Sequence, residues 1–258
     1  MRRFVIRMLP LLLPLALLFL WEWLVAYREL SELILPAPST ILRSLWQGLT
    51  SGYLLPHVGV TLTEIALGLL LGGLCGFAAG VAMGESSLLR RLLSPYVIAS
   101  QAVPKLALTP LFAIWFGFGM TSKVVITALI CFFPILESTL SIVHYADRSR
   151  LELFRSLGAG RLTVLLRCKL PGGLTELMSG IRVAVVLAVV GAVVGEFIGA
   201  SRGLGALIIA SQGMMDTPLM FAVLLLLTLI GLALYYAVSL IERMLLRHRY
   251  PAGGSAKR

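Results

Sequence analysis

The residues of this sequence that could do chemistry fall into three groups, and only one has an ordered spacing. In that group Ser149 precedes Glu152 by three residues, Gly158 follows, and Leu170-Pro171 closes the run. A serine three residues before a glutamate is a helix-start signature, the serine hydroxyl and the glutamate carboxylate each satisfying the other's backbone N–H. Gly158 can take the left-handed conformation that ends a helix. Leu162, Leu165, Leu166 and Leu170 then recur on one side of a second amphipathic helix, which Pro171 is expected to stop. Leu153, Phe154 and Leu157 form an apolar knob on this otherwise polar segment, and such clusters mark protein-binding surfaces. The chemistry is recognition rather than bond making.

The second group is ionisable and lies inside apolar runs. Lys105 and Glu137 are the deepest, and either pair or line a polar pathway. Glu64 and Glu196 lie near the ends of their runs, where their carboxylates reach interfacial water. Lys105, Glu137 and Glu196 are the candidate residues of a solute path.

The third group argues against catalysis. His57, His144 and His248 are far apart, as are Cys75, Cys131 and Cys168, which read as small apolar residues. Neither set has the spacing of a metal site, a catalytic triad or a disulfide framework. No G-x-x-x-x-G-K-[ST] phosphate loop occurs either. Neither metal nor triad chemistry is expected of these residues, and the sequence offers no phosphate loop for a nucleotide.

The elements that position these residues are membrane helices. Of 258 residues, 59% are hydrophobic and 13% charged, against about 25% charged in soluble domains. An N-terminal cationic start before a Leu-rich run resembles a signal peptide. The run ends in Trp21, Glu22, Trp23 and Tyr27 without a small-residue cleavage site, so an uncleaved span is expected. Six apolar segments approach the ~20 residues a bilayer requires: 8–26, 61–84, 95–117, 122–143, 178–200 and 219–241. Pro104, Pro110 and Lys105 interrupt the third, which is expected to be a kinked or broken helix lining a cavity.

Glycines at 68, 72, 76, 80 and 84 share one face of the second span. Gly191, Gly195 and Gly199, with Ala184 and Ala188, do the same for the fifth. Such faces let helices press together, and also let them slide. In the segment 27–60, Ser39 or Thr40 is expected to cap an amphipathic helix along the outer membrane face.

Sixteen Lys and Arg fall on one side of these spans: Arg2, Arg3, Arg7, Arg90, Arg91, Arg148, Arg150, Arg155, Arg161, Arg167, Lys169, Arg243, Arg247, Arg249, Lys257 and Arg258. Arg28, Arg43, Lys123 and Arg202 fall on the other, while Lys105 and Arg182 lie within spans. The asymmetry predicts that both termini and the loop 144–177 are cytoplasmic. It accounts for the net charge of +10 without nucleic acid as a partner.

Glu152, five residues, Gly158, nine residues, then Cys168, one residue and Leu170-Pro171 resembles the coupling loop of bacterial ATP-binding-cassette importer permeases. That family's pattern reads Glu-Ala-Ala, three residues, Gly, nine residues, Ile, one residue, Leu-Pro. Leu153, Phe154 and Cys168 depart from it. Leu35-Pro36-Ala37-Pro38, Val103-Pro104-Lys105-Leu106-Ala107-Leu108-Thr109-Pro110-Leu111, Ile114-Trp115-Phe116-Gly117, Phe133-Pro134-Ile135 and Gly195-Glu196-Phe197-Ile198-Gly199-Ala200 resemble the nitrate, sulfonate and taurine branch. That branch also carries pyrimidine thiamine precursors and riboflavin. Ser138 stands where many of its members carry Asn.

The resemblance implies an all-α membrane protein of about six transmembrane helices with the type I importer permease fold. The segment 1–60 would supply the first span and a periplasmic stretch, and 61–258 a five-helix core containing the loop 144–177. The coupling loop would comprise Ser149, Glu152, Leu153, Phe154, Leu157, Gly158, Ala159, Leu170 and Pro171. The implied setting is the bacterial inner membrane. The implied partners are a cytoplasmic ATPase that uses the ATP, a periplasmic solute-binding protein and a second permease copy. The cargo would be a small sulfonate-like anion or a pyrimidine or riboflavin-type vitamin precursor. An ion-coupled secondary transporter is the alternative.

Overall fold

The computed structural model describes the backbone of residues 2–246 and the side chains of residues 12–246. Seven residues of the charge argument, Arg2, Arg3, Arg7, Arg247, Arg249, Lys257 and Arg258, lie outside the described side chains, as does His248. The helices in chain order are α1 (Arg2–Tyr27), α2 (Pro38–Thr50), α3 (Leu55–Glu85), α4 (Ser87–Ala102), α5 (Thr109–Phe116), α6 (Met120–His144), α7 (Arg148–Ser156), α8 (Arg161–Val164), α9 (Leu170–Gly172), α10 (Leu174–Glu196), α11 (Leu204–Gly213) and α12 (Thr217–Leu246).

Four of them, α3, α6, α10 and α12, are long and apolar enough to cross a bilayer. The expected span 8–26 falls in α1, whose described apolar part runs Leu12–Tyr27. The expected span 95–117 is not one helix. Val103-Pro104 separates α4 from the 3₁₀ turn Lys105–Leu108 and α5, and the two arms bend by 81°. Proline disfavours helical backbone in the residue before it, which explains a break at Val103. Pro134, by contrast, does not interrupt α6.

The described residues form two compact units. The first comprises residues up to Val60 together with Ser201–Leu229. Within it α2 buries Ile41, Leu45 and Gly48 along one face, as its amphipathic pattern predicts. Neither Ser39 nor Thr40 caps it. Ala37 is the N-cap residue and Pro38 opens the helix. The Glu22 carboxylate of α1 performs the capping, accepting from the Ser39 backbone N–H at 3.0 Å and from Ser39 Oγ at 2.7 Å. A negative charge at a helix N-terminus satisfies otherwise orphaned donors.

The second unit comprises Thr61–Ala200 and residues from Ile230 onward. Its centre is α6, clasped by α3 and α10. Gly68, Gly72, Gly76, Gly80 and Gly84 are all buried against it. A Cβ at Gly76 would lie 2.5 Å from the Phe132 carbonyl oxygen, and one at Gly72 would strike the Ala128 carbonyl. The glycine repeat is therefore a backbone-to-backbone contact surface. Ala184, Ala188 and Ala192 of α10 are fully buried, and Ile65 of α3 with Cys131 and Ile135 of α6 completes this core with them. Gly191 and Gly195 meet Thr127 and Lys123. Gly199 does not extend this face. It lies beyond the end of α10 with φ +68°, against Phe118. Cys131 and Cys168 are buried as expected, whereas Cys75 is exposed.

Candidate functional site

The loop between α6 and α10 folds into two helical arms. Ser149 and Glu152 do not form the expected capping box. The N-cap residue of α7 is Asp147, whose Oδ1 accepts from the Ser149 backbone N–H at 2.9 Å. Leu151 N–H reaches the Asp147 carbonyl at 3.0 Å, closing the first turn two residues earlier than the serine signature requires. Aspartate is as good a cap as serine, and an earlier start gains a further half turn.

The end of α7 agrees with expectation. Gly158 has φ +72°. Its N–H bonds the Arg155 carbonyl at 2.9 Å, and the Ala159 N–H bonds the Phe154 carbonyl at 3.0 Å. This paired arrangement satisfies carbonyls that the helix end would orphan, and it requires the left-handed residue.

Pro171 does not stop the second arm. After α8 the chain widens into a π turn over Leu165–Lys169, then continues through Pro171 in the first turn of α9 to Gly172. A proline removes one backbone donor, and the wider turn directly upstream accommodates the mismatch. Val164 and Cys168 are buried, while Leu162 and Leu166 are exposed. Leu153 and Leu157 are exposed too, but Phe154 is half-buried. Glu152 is exposed.

Contacts on both α3 and α6 tie this loop to the spans. Lys169 Nζ pairs with Glu85 Oε1 of α3 at 2.6 Å, and Gly173 packs against the Ile142 side chain of α6.

A cavity of about 750 Å³ opens within the second unit. Lys105 and Glu137 both line it, together with Gln101, Phe133, Ser138, Ser141, Glu176, Ser179 and Gly180. The expectation that the broken third segment lines a cavity therefore holds. The two charged residues do not pair with each other, however. Glu137 Oε1 accepts from Gln101 Nε2 at 2.6 Å, and Lys105 Nζ sits 4.3 Å from the centroid of the Phe133 ring.

Glu196 does not line this cavity, and neither it nor Glu64 reaches interfacial water. Both are buried, at 1% and 0% exposure. Glu64 Oε1 pairs with Lys123 Nζ at 2.9 Å, and Thr61 Oγ1 donates to Glu196 Oε1 at 2.6 Å. Lys123, counted from sequence on the outer side of the spans, belongs to the first turn of α6 and is buried. An ionised group inside a low-dielectric span needs a partner, and this cluster supplies one from each of three helices. Arg182, also within a span, pairs with Glu242 of α12.

The profile described as "Binding-protein-dependent transport system inner membrane component" matches residues 68–248. The riboflavin transport system permease protein RibX of Chloroflexus aurantiacus is 40% identical over 239 residues, covering 93% of this chain and 89% of that one. The formylaminopyrimidine transport permease protein ThiX of Halalkalibacterium halodurans is 34% identical over 242 residues, with 93% and 95% covered. The taurine transport system permease protein TauC of Escherichia coli is 35% identical over 235 residues, with 89% and 85% covered. A solved inward-facing structure of the MetNI methionine transporter superposes with a TM-score of 0.64 at 20% identity, over 84% of this chain and 99% of that one. This last likeness establishes the fold, that of type I importer permeases.

Proposed function

The chain belongs to the family of binding-protein-dependent transport system inner membrane components, and from that premise we propose that its segment Arg148–Gly172 is where a separate ATPase subunit grips it. The protein is a multi-pass permease of an ATP-binding-cassette importer, which sets aside the ion-coupled secondary carrier.

The observation that carries the proposal is the chemistry of the segment. Leu153, Leu157, Leu162 and Leu166 are exposed on two short helices, in a loop expected from its cationic flanks to be cytoplasmic. With Ser149, Glu152, Ala159, Leu170 and Pro171 they form a compact surface for a protein cleft. Gly158 sets the angle between the arms. Movement of α7 passes to the spans through Lys169 and Glu85 on α3 and through Gly173 and Ile142 on α6. ATP is bound and hydrolysed in the partner, so this chain needs no cofactor. Solute arrives from a periplasmic binding protein and crosses by way of the cavity holding Lys105 and Glu137. A second copy of the chain completes the membrane unit, and both termini face the cytoplasm.

Co-purification tests this reading. Gly158→Trp and Glu152→Lys should each lose the ATPase while the permease is recovered from membranes at the wild-type yield. Retention of the ATPase by both variants would overturn it.

A further inference from the structure

Among the described residues, only two that bear a Cβ have left-handed backbone, Glu29 at φ +48° and Met215 at φ +55°. A Cβ is crowded in that conformation, so such residues are uncommon, and where they persist they gather at functional surfaces. These two are far apart in sequence, yet they belong to turns that the fold brings together. The first turn follows α1, and the second joins α11 to α12. Thr217 Oγ1 donates to the Leu33 carbonyl at 2.9 Å and ties the turns to each other within the first unit. Asp216 Oδ1 accepts from the Leu219 backbone N–H at 3.0 Å, which fixes the second turn at the start of α12. The side chains that the turns display are apolar. Leu33, Ile34, Met214 and Met215 are all exposed, Ile34 at 75% and Met215 at 70%.

The same turns carry Arg28, Glu29, Glu32 and Asp216, all exposed, so three carboxylates and one guanidinium accompany the apolar residues. An apolar centre with a charged rim is the anatomy of a protein-binding surface. The bilayer does not account for it. Trp23 and Tyr27, stacked at 5.0 Å and exposed on the last turns of α1, suit the membrane–water boundary, and the turn 28–35 comes after them. A net acidic rim is also repelled by anionic lipid headgroups. We infer that this patch seats the periplasmic solute-binding protein, whose matching surface sets lysines or arginines around an apolar spot. This rests on the importer reading above, in which the chain beyond Tyr27 emerges in the periplasm. The family is binding-protein-dependent, and such a partner needs a landing surface on that side. The tied turns hold the patch in one shape before docking, so little backbone freedom is lost, while the methionine side chains adapt to the partner's contour.

The test uses the permease–ATPase complex in lipid nanodiscs, titrated with its purified, solute-loaded binding protein while ATP hydrolysis is followed. Ile34→Ser and Met215→Gly should each raise the half-maximal concentration of binding protein about 10-fold, with basal hydrolysis unchanged. Glu29→Lys should raise it as well and flatten its dependence on salt. Met215→Gly carries its own control, because glycine takes the left-handed conformation freely. Its melting temperature should not fall, and a fall would assign the loss to folding and overturn the inference. A half-maximal concentration unchanged in either Ile34→Ser or Met215→Gly would overturn it too. So would a lowered value in Glu29→Lys, which points to an acidic partner. Shifts that vanish when phosphatidylcholine replaces the anionic lipid would make the patch a bilayer contact, again overturning it. In each of these cases the binding protein still stimulates the wild type, and the importer reading stands. A wild-type complex that the binding protein does not stimulate would overturn that reading, and the inference with it.

Discussion

Glu64 and Lys123 meet at 2.9 Å with side-chain exposures of 0% and 7%, joining α3 to α6 inside the membrane-spanning unit. Removing one member of such a pair strands the other's charge, which costs about 3–5 kcal/mol, whereas replacing both by apolar residues is close to neutral. Lys123→Met should therefore lower thermal stability in detergent sharply, and Lys123→Met with Glu64→Leu should recover most of the loss. A single variant as stable as the wild type would contradict the buried pair.

The glycine face of α3 makes a second prediction. Gly76→Ala puts a Cβ 2.5 Å from a backbone oxygen of α6, so a helix must shift, at a cost of about 1–3 kcal/mol or more. Gly59→Ala, on the same helix, meets no atom within 4 Å, and should be neutral or stabilising by up to about 1 kcal/mol through helix propensity. Melting temperatures of the two variants should move in opposite directions, or the first should fall alone.

The cap of α7 is the third. Asp147→Ala should destabilise this helix by about 1 kcal/mol, and Ser149→Ala should do less, because the Ser149 hydroxyl is not the capping group. Amide hydrogen exchange at residues 148–151 reads the difference. Faster exchange in Ser149→Ala than in Asp147→Ala would restore the serine capping box.

Gly158 supplies the fourth. A left-handed residue with a Cβ is strained by roughly 1–2 kcal/mol, and Asn tolerates that conformation better than Ala. Gly158→Ala should weaken ATPase stimulation more than Gly158→Asn does, without changing the melting temperature of the span unit.

Much of this arrangement was legible in the sequence, for reasons that depend on distance along the chain. The apolar runs of α3, α6, α10 and α12, the glycine period of α3 and the turn at Gly158 are local patterns with one physical reading each. The α7 start was misread because Ser149 and Asp147 are competing caps two residues apart, and the signature alone does not rank them. Pro171 was misread because a π turn upstream can absorb a proline. The polar cluster was invisible for a different reason. Lys123 is 59 residues from Glu64, and Thr61 is 135 from Glu196, so in the sequence the three charged residues read as isolated charges and Thr61 carries no mark at all. Lys105 and Glu137 are expected either to pair or to line a polar pathway; they line one cavity without pairing, and their neighbours Gln101 and Phe133 carry no charge that would mark them in the sequence.

The central claim is that ATP, acting through the loop 148–172, drives this permease. It is tested most directly by solute uptake into proteoliposomes that hold the permease, its ATPase and its binding protein, with ion gradients collapsed by ionophores. Uptake should require ATP, persist without any gradient, and vanish when Leu153→Asp and Leu157→Asp are introduced together. Uptake that runs on an ion gradient without ATP, or that ignores those two substitutions, would contradict it.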